Sequence, residues 1–326
     1  MDKIRIVGII LWLCSNASPL FSQTFEPGNK IKVIVTATTQ RDSSAQLRYS
    51  YIVTSLPQSQ QKVWQFYIIS RVPRINITHS HNPARWKLGL PEENSIVELR
   101  WGTPGGNEIL PGKSLSGFQF DANGLPGVID YYSEGYAPPP AWPGDVEEES
   151  IPGYDDLTPY GPGIVGKTIG PVNPPSPFVP LDFLDTLISY KHQSVTLGWL
   201  KEDKTHKQDC DEIMNGRDWY KKGDFEKFGK WNPANDWDFD HDWNNGIVSV
   251  LDKRLGKARD DLAKKDSVKA RRDLQIFVME VELLNSLSKK LEDRKQNPIM
   301  TSKAYALLKY NAEYLIDKLP EGRGKK

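Results

Sequence analysis

The sequence predicts a multidomain β + α protein: an N-terminal antiparallel β-sandwich, a Pro/Gly-rich linker and a C-terminal helical bundle. Short runs of alternating apolar and polar residues, separated by Pro, Gly and Asn, fill the N-terminal half and are typical of antiparallel strands. Apolar residues at steps of three and four recur from Gly246 to Leu319, as in amphipathic helices. Between these regions, residues 135–180 are dominated by Pro and Gly, which predicts an extended spacer.

The first 22 residues have the layout of a secretory signal peptide. A basic start precedes an apolar run from Ile6 to Leu13, which gives way to small polar residues. The run is too short to span a bilayer, so we expect it to be removed on export, by cleavage after Ala17 or after Ser22. No later stretch is apolar for long enough to cross a membrane, which predicts a secreted or surface-attached protein.

The two cysteines add little to this prediction. Cys14 would suit a lipoprotein signal, but Leu13 stands where such signals have a small residue, so the sequence favours no lipid anchor. If Cys14 leaves with the signal, Cys210 is a lone thiol that cannot form an internal disulfide. We expect a partly buried small residue there, with a reactive or intermolecular thiol as the alternative.

Residues 23–134 form the predicted β-sandwich domain. Its architecture should be immunoglobulin-like or fibronectin-like, although the paired cysteines of antibody domains are missing. The predicted strands, which all combine β-branched or aromatic residues with alternation, are Lys30–Thr36, Leu47–Val53, Val63–Ile69, Ile75–Thr78, Ser95–Trp101 and Ser114–Phe120. His79 and His81 stand two apart after the fourth run, which would place both on one face, but two imidazoles are too few for a zinc site.

The predicted linker contains a sequence with the spacing of a phosphate-binding loop, Gly161–Thr168. That loop needs a helix whose N-terminus faces the phosphate. Pro159 and Pro162 on one side and Pro171 on the other prevent such a helix. The sequence therefore predicts linker rather than a nucleotide site.

Residues 181–320 are predicted to form the helical domain, followed by a basic tail at 321–326. The first helix runs from Leu181 to Trp199, and three more fill Gly246 to Leu319. The apolar positions that predict these three are Ile247, Leu251, Leu255, Ala258 and Leu262; Ala270, Leu274, Phe277, Val281, Leu284 and Leu291; and Tyr305, Leu308, Ala312, Leu315 and Leu319. The helices can bury these stripes only against one another or against a partner.

A polar insert at 201–245 interrupts the helices and is rich in tryptophan. Two interpretations of these aromatic side chains stay open: they cover a small satellite core, or they form an exposed binding platform. The residues concerned are Trp219, Trp231, Trp237 and Trp243.

Four aspartates alternate near the end of this insert, at Asp236, Asp238, Asp240 and Asp242. Oxygen ligands at alternate positions are how loops bind calcium, and closely spaced carboxylates repel one another unless screened. The glycine and the closing glutamate of a calcium loop are missing, so the other interpretation is a solvated acidic loop that caps the next helix. Bound calcium would have a structural role.

The C-terminal stretch resembles the FIMAH domain, a small helical module at the C-terminal end of secreted multidomain bacterial proteins. The residues that carry the resemblance are Gly246–Ile247, Leu251–Leu255, Ala258, Ala270, Leu274–Val281, Ala304–Leu308 and Tyr314–Leu319. The chain departs from the family in the long insert and at Met279–Glu280. The resemblance implies an accessory role in an extracellular protein and supplies no catalytic residues.

The net charge of the sequence argues against nucleic-acid binding. With 42 basic and 42 acidic residues the formal net charge is 0, so no overall field attracts the chain to nucleic acid. We therefore expect an exported non-catalytic binding or scaffolding protein of the cell surface or extracellular matrix, whose partner is a glycan or a protein. The alternative is a secreted carbohydrate-active hydrolase, or its accessory glycan-binding subunit, with Asp238, Asp240 or Asp242 beside a tryptophan-lined sugar site.

Overall fold

The computed structural model describes residues 29–42, 46–93, 96–136, 163–203, 205, 209 and 246–321. These residues form two antiparallel sheets and four α-helices, so the mixed β and α class is confirmed. The predicted signal peptide, residues 322–326 of the basic tail, both cysteines and most of the insert lie outside the described residues.

Ten strands make up the two sheets. They are β1 (Val33–Arg41), β2 (Leu47–Ser55), β3 (Val63–Ser70), β4 (Ile77–His81), β5 (Lys87–Gly89), β6 (Glu92–Glu93), β7 (Ile96–Gly102), β8 (Ser114–Ala122), β9 (Leu125–Gly135) and β10 (Ile164–Val172). The first sheet has the order β1-β2-β8-β4, and the second has the order β10-β9-β3-β7-β5, with β6 beside β7. All six predicted runs overlap a strand, whereas β5, β6, β9 and β10 were not predicted as separate strands.

Aromatic side chains from both sheets pack against one another between them. Phe66 of the second sheet lies 5.3 Å from Phe118 and 5.9 Å from Tyr51 of the first, measured between ring centroids. Trp101 stacks on Phe66 at 5.7 Å and is fully buried. Edge-on and offset ring contacts of this kind add to the free energy gained by burying the rings.

Strand β10 corrects the predicted linker, because it lies inside 135–180. It pairs with β9 along its whole length, from Ile164 opposite Ser133 to Val172 opposite Leu125. Glycine and proline in this stretch suggested a spacer, but they have positions in the sheet that suit them. Pro171 is on an edge strand, where a missing N–H is tolerated.

The four helices are α1 (Pro180–Thr196), α2 (Ile247–Ala263), α3 (Ser267–Asp293) and α4 (Ser302–Lys318). Helix α1 contacts α2 and α4, and α3 also contacts α2 and α4. The apolar positions predicted for the last three helices are buried or half-buried. In α1, Leu184 and Leu187 are buried as expected, but Val195 is exposed.

Helix α4 also packs against the sheets, so they and the helices share one hydrophobic core. Its side chains donate hydrogen bonds to three alternate carbonyls along the edge strand β1. The pairs are Lys303 Nζ to Val35 O at 3.2 Å, Ser302 Oγ to Ala37 O at 2.7 Å and Tyr310 OH to Thr39 O at 3.1 Å. These bonds occupy acceptors that an edge strand otherwise presents to other strands.

The residues that flank 204–245 are neighbours in the structure. The N–H of Ile247 donates to the carbonyl of Asp203 at 3.2 Å. Glu202 accepts from the N–H of Val248 at 3.3 Å, near the N-terminus of α2. A carboxylate at this helix end is favourable because the first turn has unpaired N–H groups.

Candidate functional site

The site residues predicted in the insert lie outside the described residues. These are Trp219, Trp231, Trp237 and Trp243 for binding, and Asp236, Asp238, Asp240 and Asp242 for calcium. The beginning of the insert is anchored on α3, because Asp209 accepts from Arg294 at 2.8 Å and lies 3.2 Å from Lys290 Nζ. Asp209 has a lowered pKa; its desolvation, which opposes the shift, is outweighed by its hydrogen bonds to these two cations.

Residues 164–168 of the phosphate-loop sequence belong to strand β10, and they have structural positions there. A Cβ on Gly166 would lie 2.5 Å from the ring of Tyr131, so only glycine leaves room for that ring. Lys167 pairs with Asp130 on β9 at 2.6 Å, and Thr168 is buried. The prediction of a linker was wrong here, but the chain around Lys167 is a strand rather than the helix that a nucleotide would need.

The outer face of the second sheet carries a set of aromatic and polar side chains that the sequence analysis did not single out. Alternation along β9 places Tyr132 and Glu134 on this face, and Tyr136 continues the row just beyond the strand. On β3, Val63 pairs with Gly135 and Gln65 with Glu134, so Trp64 is the extra residue of a β-bulge. We call the set the aromatic face: Trp64, Gln65, Tyr67, Arg100, Tyr132, Glu134 and Tyr136.

Tyr67 lies in the middle of this face and connects three strands. It stands opposite Tyr132 on β9 and opposite Arg100 on β7. The guanidinium carbon of Arg100 lies 4.9 Å from the centre of the Tyr67 ring, and Arg100 also donates to Glu98 at 3.0 Å. Burial is the main reason that the pKa of Tyr67 is raised well above its ordinary value, so the phenol stays protonated as a donor.

Glu134 is the acid of the aromatic face. Burial raises the pKa of its carboxyl to about 7, although its hydrogen bond with Tyr67 and the charge of Arg100 act in the opposite direction. Near neutral pH the carboxyl is therefore divided between protonated and charged forms. It can both donate and accept hydrogen bonds in that range.

The exposed end of the face is aromatic. The rings of Trp64 and Tyr136 meet edge to face at 6.1 Å, and Lys62 Nζ lies 5.9 Å from the Tyr136 ring centre. Tyr136 is 37% exposed. Tyr132 and Tyr136 are four residues apart, roughly 13 Å along an extended chain, so the aromatic row is longer than one small ring.

Two described acids on the outer face of the second sheet, Glu134 and Glu98, have widely separated backbone positions. The partner of Glu134 on β3 is Gln65, while that of Glu98 is Ile69. Four residues along a strand are roughly 13 Å, and β3 adds about 9–10 Å between the two outer strands. Glycosidase carboxyl groups are about 5–9.5 Å apart, so the backbone spacing of this pair does not favour that reaction.

A concavity of about 680 Å³ lies between the end of β1 and helices α3 and α4. Its cations are paired within the protein: Arg41 and Lys309 lie 3.5 Å and 2.7 Å from Glu313. Arg271 donates to the carbonyl of Ile316 at the end of α4 at 2.5 Å. These ion pairs and this hydrogen bond therefore hold the sheet and the helices together.

Within the described ranges, no group of three or more His, Cys, Asp or Glu side chains has the arrangement to hold a metal ion. His79 lies 3.5 Å from Asp121 and has a φ of 43°. The register of β4 with β8 shifts between Thr78 and His81, which interrupts the alternation expected to place the two histidines on one face.

The comparisons with known proteins give no relative: no protein-family model matches the chain, and no curated protein does either. Among the residues that the structure describes, no helix is both long and apolar enough to cross a membrane.

Proposed function

We propose that this chain is an exported, non-catalytic binding or scaffolding component of the cell surface or extracellular matrix, and that the aromatic face is its contact surface. The observation that carries the proposal is the row of Trp64, Tyr132 and Tyr136 on one outer sheet face, beside the buried ring of Tyr67. Aromatic side chains with polar tips are the residue type most used in binding surfaces, because they offer large contact areas at low entropic cost.

Separated carboxylates support binding rather than catalysis. Glu134 has the raised pKa of a general acid, but among the described residues the backbone of Glu98 lies far from it along the sheet. Asp130, the other acid in this row of β9, is four residues away from Glu134 and pairs with Lys167. This arrangement is the reason that we place the hydrolase interpretation second.

The proposal of export rests on the signal-like N-terminus. The proposed likeness to an immunoglobulin or fibronectin domain rests on the two-sheet arrangement. The FIMAH-like assignment of the C-terminal helices rests on the apolar positions quoted above, which are buried or half-buried in α2, α3 and α4. Together they describe an extracellular protein that combines a binding domain with an accessory helical domain. Mass spectrometry of the secreted protein tests export, since the mature N-terminus should follow Ala17 or Ser22.

The contact surface is tested by adding purified, fluorescently labelled mature protein to the producing cells and measuring the bound fraction. We expect the double variant Trp64→Ala/Tyr136→Ala to lose most of the binding. The matched control is Ile52→Ala, an exposed residue of β2 in the other sheet. Equal binding by all three proteins would overturn the assignment of the face, and no binding by any of them would overturn the surface function itself.

A further inference from the structure

We infer that the aromatic face binds an uncharged polysaccharide chain, laid along β9 from Tyr136 towards Tyr132. This inference rests on the proposed function and names its ligand class. Sugar rings have apolar C–H faces and hydroxyl edges, so a surface that holds them needs flat aromatic rings next to hydrogen-bonding groups. The aromatic face combines both kinds of group.

Length is the first argument for a chain rather than a single sugar. Tyr132 and Tyr136 are both on the outer side of β9, roughly 13 Å apart by strand geometry. Trp64 extends the row sideways through its edge-to-face contact with Tyr136. A ligand that touches both ends of this row must have several units in line.

Polar groups lie along the same row. The carboxyl of Glu134 is between the two tyrosines on β9, next to Gln65 on β3. The phenol of Tyr67 interacts with Glu134 from one side. These groups can donate and accept hydrogen bonds to hydroxyls, which a purely apolar partner would leave unsatisfied at a cost in free energy.

Charge favours an uncharged ligand over an acidic or basic one. Arg100 is paired with Glu98 at 3.0 Å, and Lys167 with Asp130 at 2.6 Å. Each pair is neutral overall, and the remaining charges, on Lys62 beside Tyr136 and on the partly ionised Glu134, are opposite in sign. An anionic polysaccharide would have to displace Glu98 from Arg100, and a cationic one would gain little from paired carboxylates.

The aliphatic content of the face argues against a protein partner. Val165 on β10 and Ile96 on β7 are exposed, but they stand on opposite sides of the aromatic row. A protein interface of ordinary size has a continuous apolar centre, surrounded by a polar rim. Here the centre is aromatic and hydrogen-bonding.

Native affinity electrophoresis of the mature protein tests this inference. Gels contain one soluble polysaccharide each: β-glucan, xylan, galactomannan or dextran as uncharged probes, and polygalacturonate as an anionic one. At least one uncharged probe should retard the protein. Tyr132→Ala and Tyr136→Ala should each weaken that interaction by about tenfold or more, since each removes the aromatic contact at one end of the row. Tyr132→Phe should keep most of it, because the ring remains.

Thermal unfolding of each variant, compared with that of Ile52→Ala, shows whether the variants are folded. In the gels, Ile52→Ala should be retarded like the wild type. Migration unaffected by every uncharged probe, or retardation by polygalacturonate alone, would overturn the inference. Retardation that persists in both alanine variants would do so as well. If the cell-surface binding still depends on Trp64 and Tyr136 in any of these cases, the proposed function stands and its partner is a protein or a charged glycan.

Discussion

At the scale of single residues, Glu134 links the aromatic face to stability. Its folded-state pKa of about 7 is above the ordinary value of 4.5, so the native protein keeps this proton to higher pH than the unfolded chain. The stabilisation from the protonated form is fully present below about pH 4.5 and is lost as the pH rises through 7. Removing the charge should therefore have little effect near pH 4.5 and a growing effect as the pH rises towards 7 and above.

We expect Glu134→Gln to be more stable than the wild type by about 1–2 kcal/mol at pH 8, after allowance for solvent screening, and similar to it at pH 4.5. Urea unfolding of both proteins at the two pH values measures this difference. Glu92→Gln, an exposed substitution on β6 of the same sheet, is the matched control. A constant difference between Glu134→Gln and the wild type across the pH range would contradict the raised pKa.

Two glycines provide a paired test of local space. A Cβ on Gly166 would meet the Tyr131 ring at 2.5 Å, whereas one on Gly256 in α2 has nothing within 4 Å. We expect Gly166→Ala to destabilise the fold by about 1–3 kcal/mol through overpacking. Gly256→Ala should stabilise it by about 0.5–1 kcal/mol, because alanine is the better helix former. Opposite signs in urea unfolding confirm this explanation, and equal effects would refute it.

At the scale of elements, the hydrogen bonds from α4 to the carbonyls of β1 can be tested by mutation. In Tyr310→Phe the ring remains against Arg41, but the carbonyl of Thr39 loses its donor. We expect a loss of about 1–2 kcal/mol in the free energy of unfolding. Tyr314→Phe in the same helix is the control. The contacts of Tyr314 with Phe178 and Phe183 are made by its ring, which phenylalanine keeps. A cost no greater than that of the control would show that the bond is unimportant.

The helices and most strands could be predicted because their patterns are local. Leu274 and Phe277 recur at helical spacing and are buried, and the alternation in Leu47–Val53 continues into β2. Strand β10 could not be predicted in this way, because Gly166 and Gly170 are explained only by the side chains of Tyr131 and Ile129 on another strand.

The aromatic face was missed for a similar reason. The alternation of Tyr132, Glu134 and Tyr136 in the sequence could have indicated an outward row on a strand, but Trp64 joins that row through a β-bulge. Tyr67 and Arg100 are brought together by strand order, which the sequence does not specify. The predicted tryptophan and aspartate sites of the insert stay predictions.

At the scale of the whole molecule, the sheets and helices should unfold together. Asn311 of α4 donates to the carbonyl of Pro126 on β9 at 2.8 Å, and the hydrophobic core is continuous from the sheets to the helices. We expect near-ultraviolet circular dichroism, which reports the aromatic core, and the helical signal to give coincident urea transitions.

The control is a fragment of residues 29–172, which removes the helices. We expect it to aggregate or to be much less stable, because the carbonyls of Val35, Ala37 and Thr39 lose their donors and the β1 edge is uncovered. Two separate transitions in the full chain, or a fragment as stable as the whole, would instead support independent domains joined by a spacer.

The hydrogen bond between Asp203 and Ile247 has an evolutionary consequence. Since the chain is held together at this point, and Asp209 is bound to Arg294, we expect the rest of the fold to depend little on how many residues lie between Asp209 and Gly246. Doubling the length of a flexible loop costs only about 0.6 kcal/mol in closure entropy. We therefore expect descendants of this chain to tolerate changes in length between Asp209 and Gly246 while they inherit the sheets and helices, which allows one scaffold to acquire new specificities.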